Sequence, residues 1–219
     1  EENSTISPPA AILVVVVAYI LFLFFGAALI ILFGYALAIV FAELPFIVIP
    51  LGYMLHRRIS VRSYMGLEMK PMNILLGVAL GAFLFFFNLV VSAILVSILG
   101  VSEAVEESNR LIIDMSGSPE GLLSVIASLS LAGVYEEFAF RGFLQNAVNS
   151  KYPSGVAILV SSIAFGLFHF DPQAVYIIAG FFMGLILGYI YHRWHSYTVS
   201  VVTHATLNLI MLTIILLIP

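Results

Sequence analysis

The most conspicuous polar side chains inside the apolar stretches of this chain are Glu43, Asn88, Glu136, Glu137, Arg141, His169, His204 and Asn208. They include the residue types that hydrolysis needs: carboxylates and imidazoles to move a proton, and N–H donors to hold a developing negative charge. In YEEFAFR, Glu137 and Arg141 are spaced i, i+4 with the acid first, which allows a direct ion pair along one helix face. Glu136 points about 100° away and is left without that partner. An unpaired carboxylate in an apolar wall can exchange protons near neutral pH, as a general base must. The competing reading is a purely structural network of both glutamates with Arg141.

FGLFHF sets Phe165 and His169 one turn apart at the end of an apolar run, just before Asp171 and Pro172. THATLN sets His204 and Asn208 one turn apart in the last apolar run, an imidazole beside a carboxamide. Each motif alone reads as structural: a helix-end histidine, and an interhelical hydrogen bond.

The elements that must position these groups are membrane-length helices, since about 20 apolar residues cross the hydrocarbon. Ala10 to Leu55 is long enough for two spans, with the turn expected around Gly26 to Gly34. HRRISVRSYMGLEMKP is basic and amphipathic and reads as an interfacial loop. A span follows from about Met72 to Leu99, then a polar acidic loop from Ser102 to Glu120. The second half gives a long helix from about Leu122 to Val148, a short span from Val156 to His169, another from Ala174 to Tyr191, and a last from Val199 to Ile218. The expectation is an all-α polytopic transmembrane helical bundle of about seven spans, or about eight if one is split, forming a single integral membrane domain over residues 1–219. At about 1.5 Å per residue, Glu136 lies roughly 18 Å from the helix end near Val148 and His169 roughly 20 Å from Val156, while His204 and Asn208 lie roughly 8 to 14 Å from Val199. At those depths the four can converge, and such a convergence reads as a hydrolytic site.

Composition supports the membrane. Of 219 residues 62% are apolar and 9% charged, too few polar groups to cover a water-soluble globule, so the lipid bilayer is the expected surrounding. No basic run exists that could neutralise phosphates, which excludes nucleic acid as a partner. Without cysteine there is neither a thiol nucleophile nor a Cys-ligated zinc site. EENSTISPP lacks the basic region of a cleavable signal, and the first apolar segment is expected to stay as a span. If about seven spans alternate, Arg57, Arg58, Arg62, Lys70, Arg141, Lys151 and Arg193 share one side, which the positive-inside rule assigns to the cytoplasm together with the N-terminus.

The three motifs also carry a resemblance. EEFAFR matches the EExxxR motif of the CAAX prenyl endopeptidase (CPBP, or ABI) family, Phe165 to His169 its FxxxH motif, and His204 to Asn208 its HxxxN motif, in the family's order. The similarity covers about Leu122 to Asn208 and fits the prokaryotic branch, so a prokaryotic cell membrane is the implied location. The resemblance implies a glutamate-dependent intramembrane endopeptidase acting on a protein or peptide, of the prenylated CAAX type or not. Glu136 and His169 would activate a water, His204 and Asn208 would hold the oxyanion, and Glu137 and Arg141 would brace the helix, with Phe165 as structural support. No cofactor is implied. A zinc site on His169, His204 and a glutamate is the alternative within enzymes and is not favoured, there being no HExxH. A non-catalytic immunity or scaffold protein is the alternative outside them.

Other groups are set aside. Pro45 frees the Phe41 carbonyl, and a protonated Glu43 bonded to that kinked backbone or to a buried polar side chain is the preferred reading of Glu43. Asn88 reads as interhelical glue, Trp194 and Tyr197 as members of an aromatic belt, and Gly180, Gly184 and Gly188 as a close-packing stripe.

Overall fold

The computed structural model describes residues 5–217, and all regular structure among them is helical. Helix α1 runs from Pro8 to Phe33 with Pro8 in its first turn, where a missing N–H is harmless. Most of its side chains face outward, as they must in a helix surrounded by lipid. Gly34 alone separates α1 from α2, Tyr35–Phe41, and adopts φ 83°, a conformation that a side chain would strain. Of the two glycines expected near this turn, Gly34 makes it, while Gly26 lies inside α1.

Helix α2 is followed by α3, Pro45–His56, and the two make one apolar stretch of 22 residues with a break at Ala42–Leu44. The break follows from Pro45. Its ring removes a donor, and the Phe41 carbonyl instead accepts the Leu44 N–H at 3.1 Å.

The basic segment expected at the interface contains a short helix α4, Val61–Met65, and then leads into α5, Pro71–Leu99. Gly66 ends α4 at φ 64°, and its carbonyl accepts the Tyr197 N–H at 3.3 Å, tying this segment to the start of the last helix. The acidic stretch expected as a loop instead forms an amphipathic helix α6, Glu103–Ser116. Glu103 and Glu106 sit in its first turn, where the helix dipole favours negative charge, and Arg110 bonds Glu106 one turn back at 3.0 Å. Its apolar side packs on the helix that follows and on the last helix.

That following helix is α7, Pro119–Glu137. Where a uniform helix is expected to Val148, the winding widens to a π-helix over Phe138–Gln145, every residue of it buried, before a last turn α8, Asn146–Asn149. Helix α9, Ser154–Phe168, antiparallel α10, Val175–Trp194, and α11, Tyr197–Leu217, complete the fold. The expected end of the last span at Ile218 lies outside the described residues, as does the N-terminal end.

Among the described residues, six helical stretches are long and apolar enough to cross a membrane, and this is a multi-pass membrane protein. The short span expected at Val156 to His169 is not among them: α9 has 15 residues, roughly 22 Å of helix against roughly 30 Å of hydrocarbon.

Glycines bring the site-bearing helices together. A Cβ on Gly77 of α5 would stand 2.6 Å from the Val202 Cβ of α11, and one on Gly81 would stand 2.6 Å from the Thr206 Cβ. Gly133 of α7 lies against the backbone of α11 at Val201 and Ala205. Helix α11 is therefore held against both α5 and α7. The Gly180, Gly184 and Gly188 stripe packs closely on His169, Ser162 and Gln145 respectively. Asn88 donates to the Met211 sulfur at 3.5 Å, from α5 to α11, as interhelical glue should.

Candidate active site

The site forms where α7 passes into the π-helix. Glu136 and Glu137 are the last residues of α7 and Arg141 lies within the first π turn, all three buried. Arg141 Nη1 is 3.2 Å from Glu137 Oε1, so the expected i, i+4 ion pair survives the change of winding. Both side chains are fully enclosed, where an unpaired charge would be severely destabilising. The guanidinium also lies 4.1 Å over the Phe165 ring and donates from Nη2 to the Gly184 carbonyl at 3.4 Å. Phe165 thus packs against a buried cation, a contact that helps hold the charge in an apolar interior.

Helix α11 approaches from the other side. Ser200 donates to Glu137 Oε2 at 2.6 Å, and His204 Nδ1 lies 3.1 Å from Glu137 Oε1. His204 Nε2, on the opposite edge of the same ring, is 3.8 Å from Glu136 Oε2. The angular offset between the two glutamates does not separate them chemically, because one imidazole spans both. With Nδ1 protonated toward the Glu137 carboxylate, Nε2 is the nitrogen left to face Glu136.

His169 caps α9. Its Nδ1 lies 2.9 Å from the Phe165 carbonyl, an interaction that requires a proton on Nδ1 and leaves Nε2 as an acceptor. Phe165 connects the two histidines: its ring centroid is 4.7 Å from that of His169 and 5.9 Å from that of His204. Asn208, one turn beyond His204, donates from Nδ2 to the Leu129 carbonyl of α7 at 3.1 Å. Glu136, Glu137, Arg141, His204 and Ser200 are therefore one contiguous cluster. His169 joins it across Phe165, and Asn208 lies one turn away with one N–H already engaged. Among the described residues, no three His, Asp or Glu side chains are grouped as a metal-binding set.

Ser200 was not singled out from the sequence. The signal was present, since Ser200, His204 and Asn208 continue one i, i+4 face by a further turn. Tyr197, expected in an aromatic belt, is instead 8% exposed and donates to the Val134 carbonyl of α7 at 2.7 Å. A phenol at the first turn of α11 bonds across the helix interface because α7 lies close enough to accept. Trp194 is exposed, with Arg193 over its ring, as an interfacial residue should be.

An apolar cavity of about 390 Å³ borders the cluster. Ile12, Val16 and Tyr19 of α1 and Ile163, Ala164 and Leu167 of α9 form its walls, with Phe140 and Phe168 also lining it. Phe168 packs on His169 at 5.0 Å and Phe140 on Phe165 at 5.4 Å, so the cavity and the polar cluster share an aromatic partition.

The family model described as Rce1-like, type II CAAX prenyl endopeptidase, matches residues 118–210, a stretch containing all three motifs. Over that stretch the chain is similar to the type II CAAX prenyl endopeptidase family. That similarity is consistent with hydrolase activity. No curated protein and no solved structure matches the chain.

Proposed function

We propose that the protein is an intramembrane endopeptidase that hydrolyses a peptide bond near the membrane in a CAAX-type protein or peptide. The observation that carries this reading is the His204 ring held between two carboxylates, with Nδ1 3.1 Å from Glu137 and Nε2 3.8 Å from Glu136, inside the family-matched stretch. Glu136 is the carboxylate free to act: Glu137 is committed to Arg141, Ser200 and His204, whereas Glu136 Oε2 is buried without a hydrogen-bond partner among the described residues.

In this reading Glu136, with His169 through its Nε2, removes a proton from water as the oxygen adds to the scissile carbonyl carbon. The carbonyl oxygen becomes an oxyanion, held by N–H donors of His204 and Asn208. His204 donates from Nε2 only when that nitrogen is protonated together with Nδ1, and the Glu137 carboxylate stabilises that cation. Asn208 keeps a second N–H besides the one used on Leu129. Arg141 balances Glu137 and keeps the cluster from carrying unpaired charge.

The apolar cavity beside the partition supports a prenylated substrate, whose hydrocarbon chain would enter from the lipid between α1 and α9. The charge asymmetry of the loops supports an orientation with the Arg57 to Lys70 segment and the N-terminus cytoplasmic. Incubating the purified protein in lipid nanodiscs with a farnesylated CAAX peptide, and weighing the products by mass spectrometry, tests the reading. Release of a C-terminal peptide is expected, and an intact substrate contradicts it.

A further inference from the structure

Glu43 is not in any of the three motifs, and the bond that would make it a purely structural residue is not formed. The Phe41 carbonyl freed by Pro45 takes the Leu44 N–H at 3.1 Å, so the kinked backbone does not use the Glu43 side chain. Glu43 Oε2 is instead buried with no hydrogen-bond partner among the described residues, and Glu136 Oε2 is in the same condition. An unpartnered buried carboxylate oxygen is costly and calls for a role.

Two contacts fix where Glu43 stands. Before it in the chain, the Ser128 hydroxyl of α7 donates to the Ile39 carbonyl of α2 at 2.8 Å. After it, the Phe46 ring of α3 lies 5.6 Å from Phe140 of the π-helix. Glu43, in the break between α2 and α3, lies between Ile39 and Phe46 in the chain, and Glu136 lies between Ser128 and Phe140. The same two contacts therefore bracket both glutamates, in the segment where α2 and α3 pack on α7 and the π-helix.

We propose that Glu43 is the general acid of this site, paired with Glu136 as the base. The assignment rests on the reading of Glu136 given above. Two buried carboxyls serving one site in an apolar interior need hold only one proton between them, which supplies a base and an acid together. Glu136 takes a proton from water as the water oxygen bonds to the carbonyl carbon. When the tetrahedral intermediate collapses, the C–N bond breaks and Glu43 gives its proton to the departing amine nitrogen. Glu136 then returns a proton to Glu43, and the remaining water hydrogen leaves with the new carboxyl group.

The test compares two probes: an internally quenched farnesylated CAAX peptide, and the same peptide with an ester in place of the scissile amide. An alkoxide leaves far more readily than an amide anion, so the ester depends less on the acid. Glu43→Gln should lower kcat on the amide by about 10² to 10⁴ with KM little changed, and recover most of that loss on the ester. Glu43→Asp, which retains a carboxyl, should keep more amide activity than Glu43→Leu, which guards against a folding defect in any one variant. Equal losses on both probes, or a full amide rate in Glu43→Gln, overturn the assignment. Glu136→Gln separates the two levels: if it is inactive while Glu43→Gln is fully active, only the role of Glu43 fails. An active Glu136→Gln, or a wild-type protein that cleaves neither probe, overturns both.

Discussion

Glu137 Oε1 lies 3.1 Å from His204 Nδ1, so the second glutamate of the EExxxR motif holds the histidine of the HxxxN motif directly. The same oxygen is 3.2 Å from Arg141 Nη1, and the other oxygen accepts from Ser200. Glu137→Gln leaves Arg141 charged in a fully buried position without its counter-ion. Breaking such a pair typically costs about 3 to 5 kcal/mol. The variant should melt at a clearly lower temperature than wild type in the same detergent. A thermal scan with unchanged melting would mean that the ion pair does not hold the fold.

Asn208 contributes both a cross-helix bond and a spare donor. Asn208→Ala should lose about 0.5 to 1.5 kcal/mol of stability with the Leu129 bond, and about 10² to 10³ in kcat with the oxyanion donor. Steady-state kinetics beside a melting curve divides the two effects. A full kcat with reduced stability would leave Asn208 as interhelical glue.

The apolar cavity makes a prediction about binding rather than rate. Ala164→Phe fills space between α1 and α9 without touching the polar cluster. It should raise KM for a farnesylated peptide while leaving kcat and the cleavage of the unprenylated peptide nearly unchanged. Equal KM changes for the two peptides would show that the hydrocarbon chain binds elsewhere.

Orientation is open to chemical labelling, because the chain has no cysteine of its own. Ser63 is exposed in the basic segment that holds α4. A Ser63→Cys protein in intact cells should resist a membrane-impermeant maleimide and react after permeabilisation. Labelling of intact cells would reverse the topology.

How much could be read beforehand depended on whether a relationship was local. The pairings Glu137 with Arg141 and Phe165 with His169 are one-turn neighbours, and helical periodicity alone brings such residues together. The long apolar runs gave the membrane helices because their composition leaves no alternative. What escaped was set by contacts between helices. The π-helix after Glu137 has no pattern in FAFRGFLQ that separates it from an ordinary helix. The glutamates looked independent until His204 was found between them, and Tyr197 looked interfacial until Val134 was found within reach of its hydroxyl. The acidic segment looked like a loop because its charges mask an apolar face that becomes evident once α7 lies beside it. For Glu43 the sequence offers a bond to the proline kink or to a buried polar side chain, whereas the Leu44 N–H takes the freed carbonyl and Glu43 Oε2 has no partner among the described residues.

The central claim is that Glu136 is the base, and turnover by purified Glu136→Gln tests it most directly. The substitution keeps the shape of a side chain that has no ion-pair partner among Lys and Arg in the described residues, so folding should be retained. Measured on a farnesylated CAAX peptide, with melting temperature and substrate binding followed in parallel, the account predicts wild-type stability, near-normal binding and no detectable cleavage. Cleavage at the wild-type rate by the folded variant would contradict it.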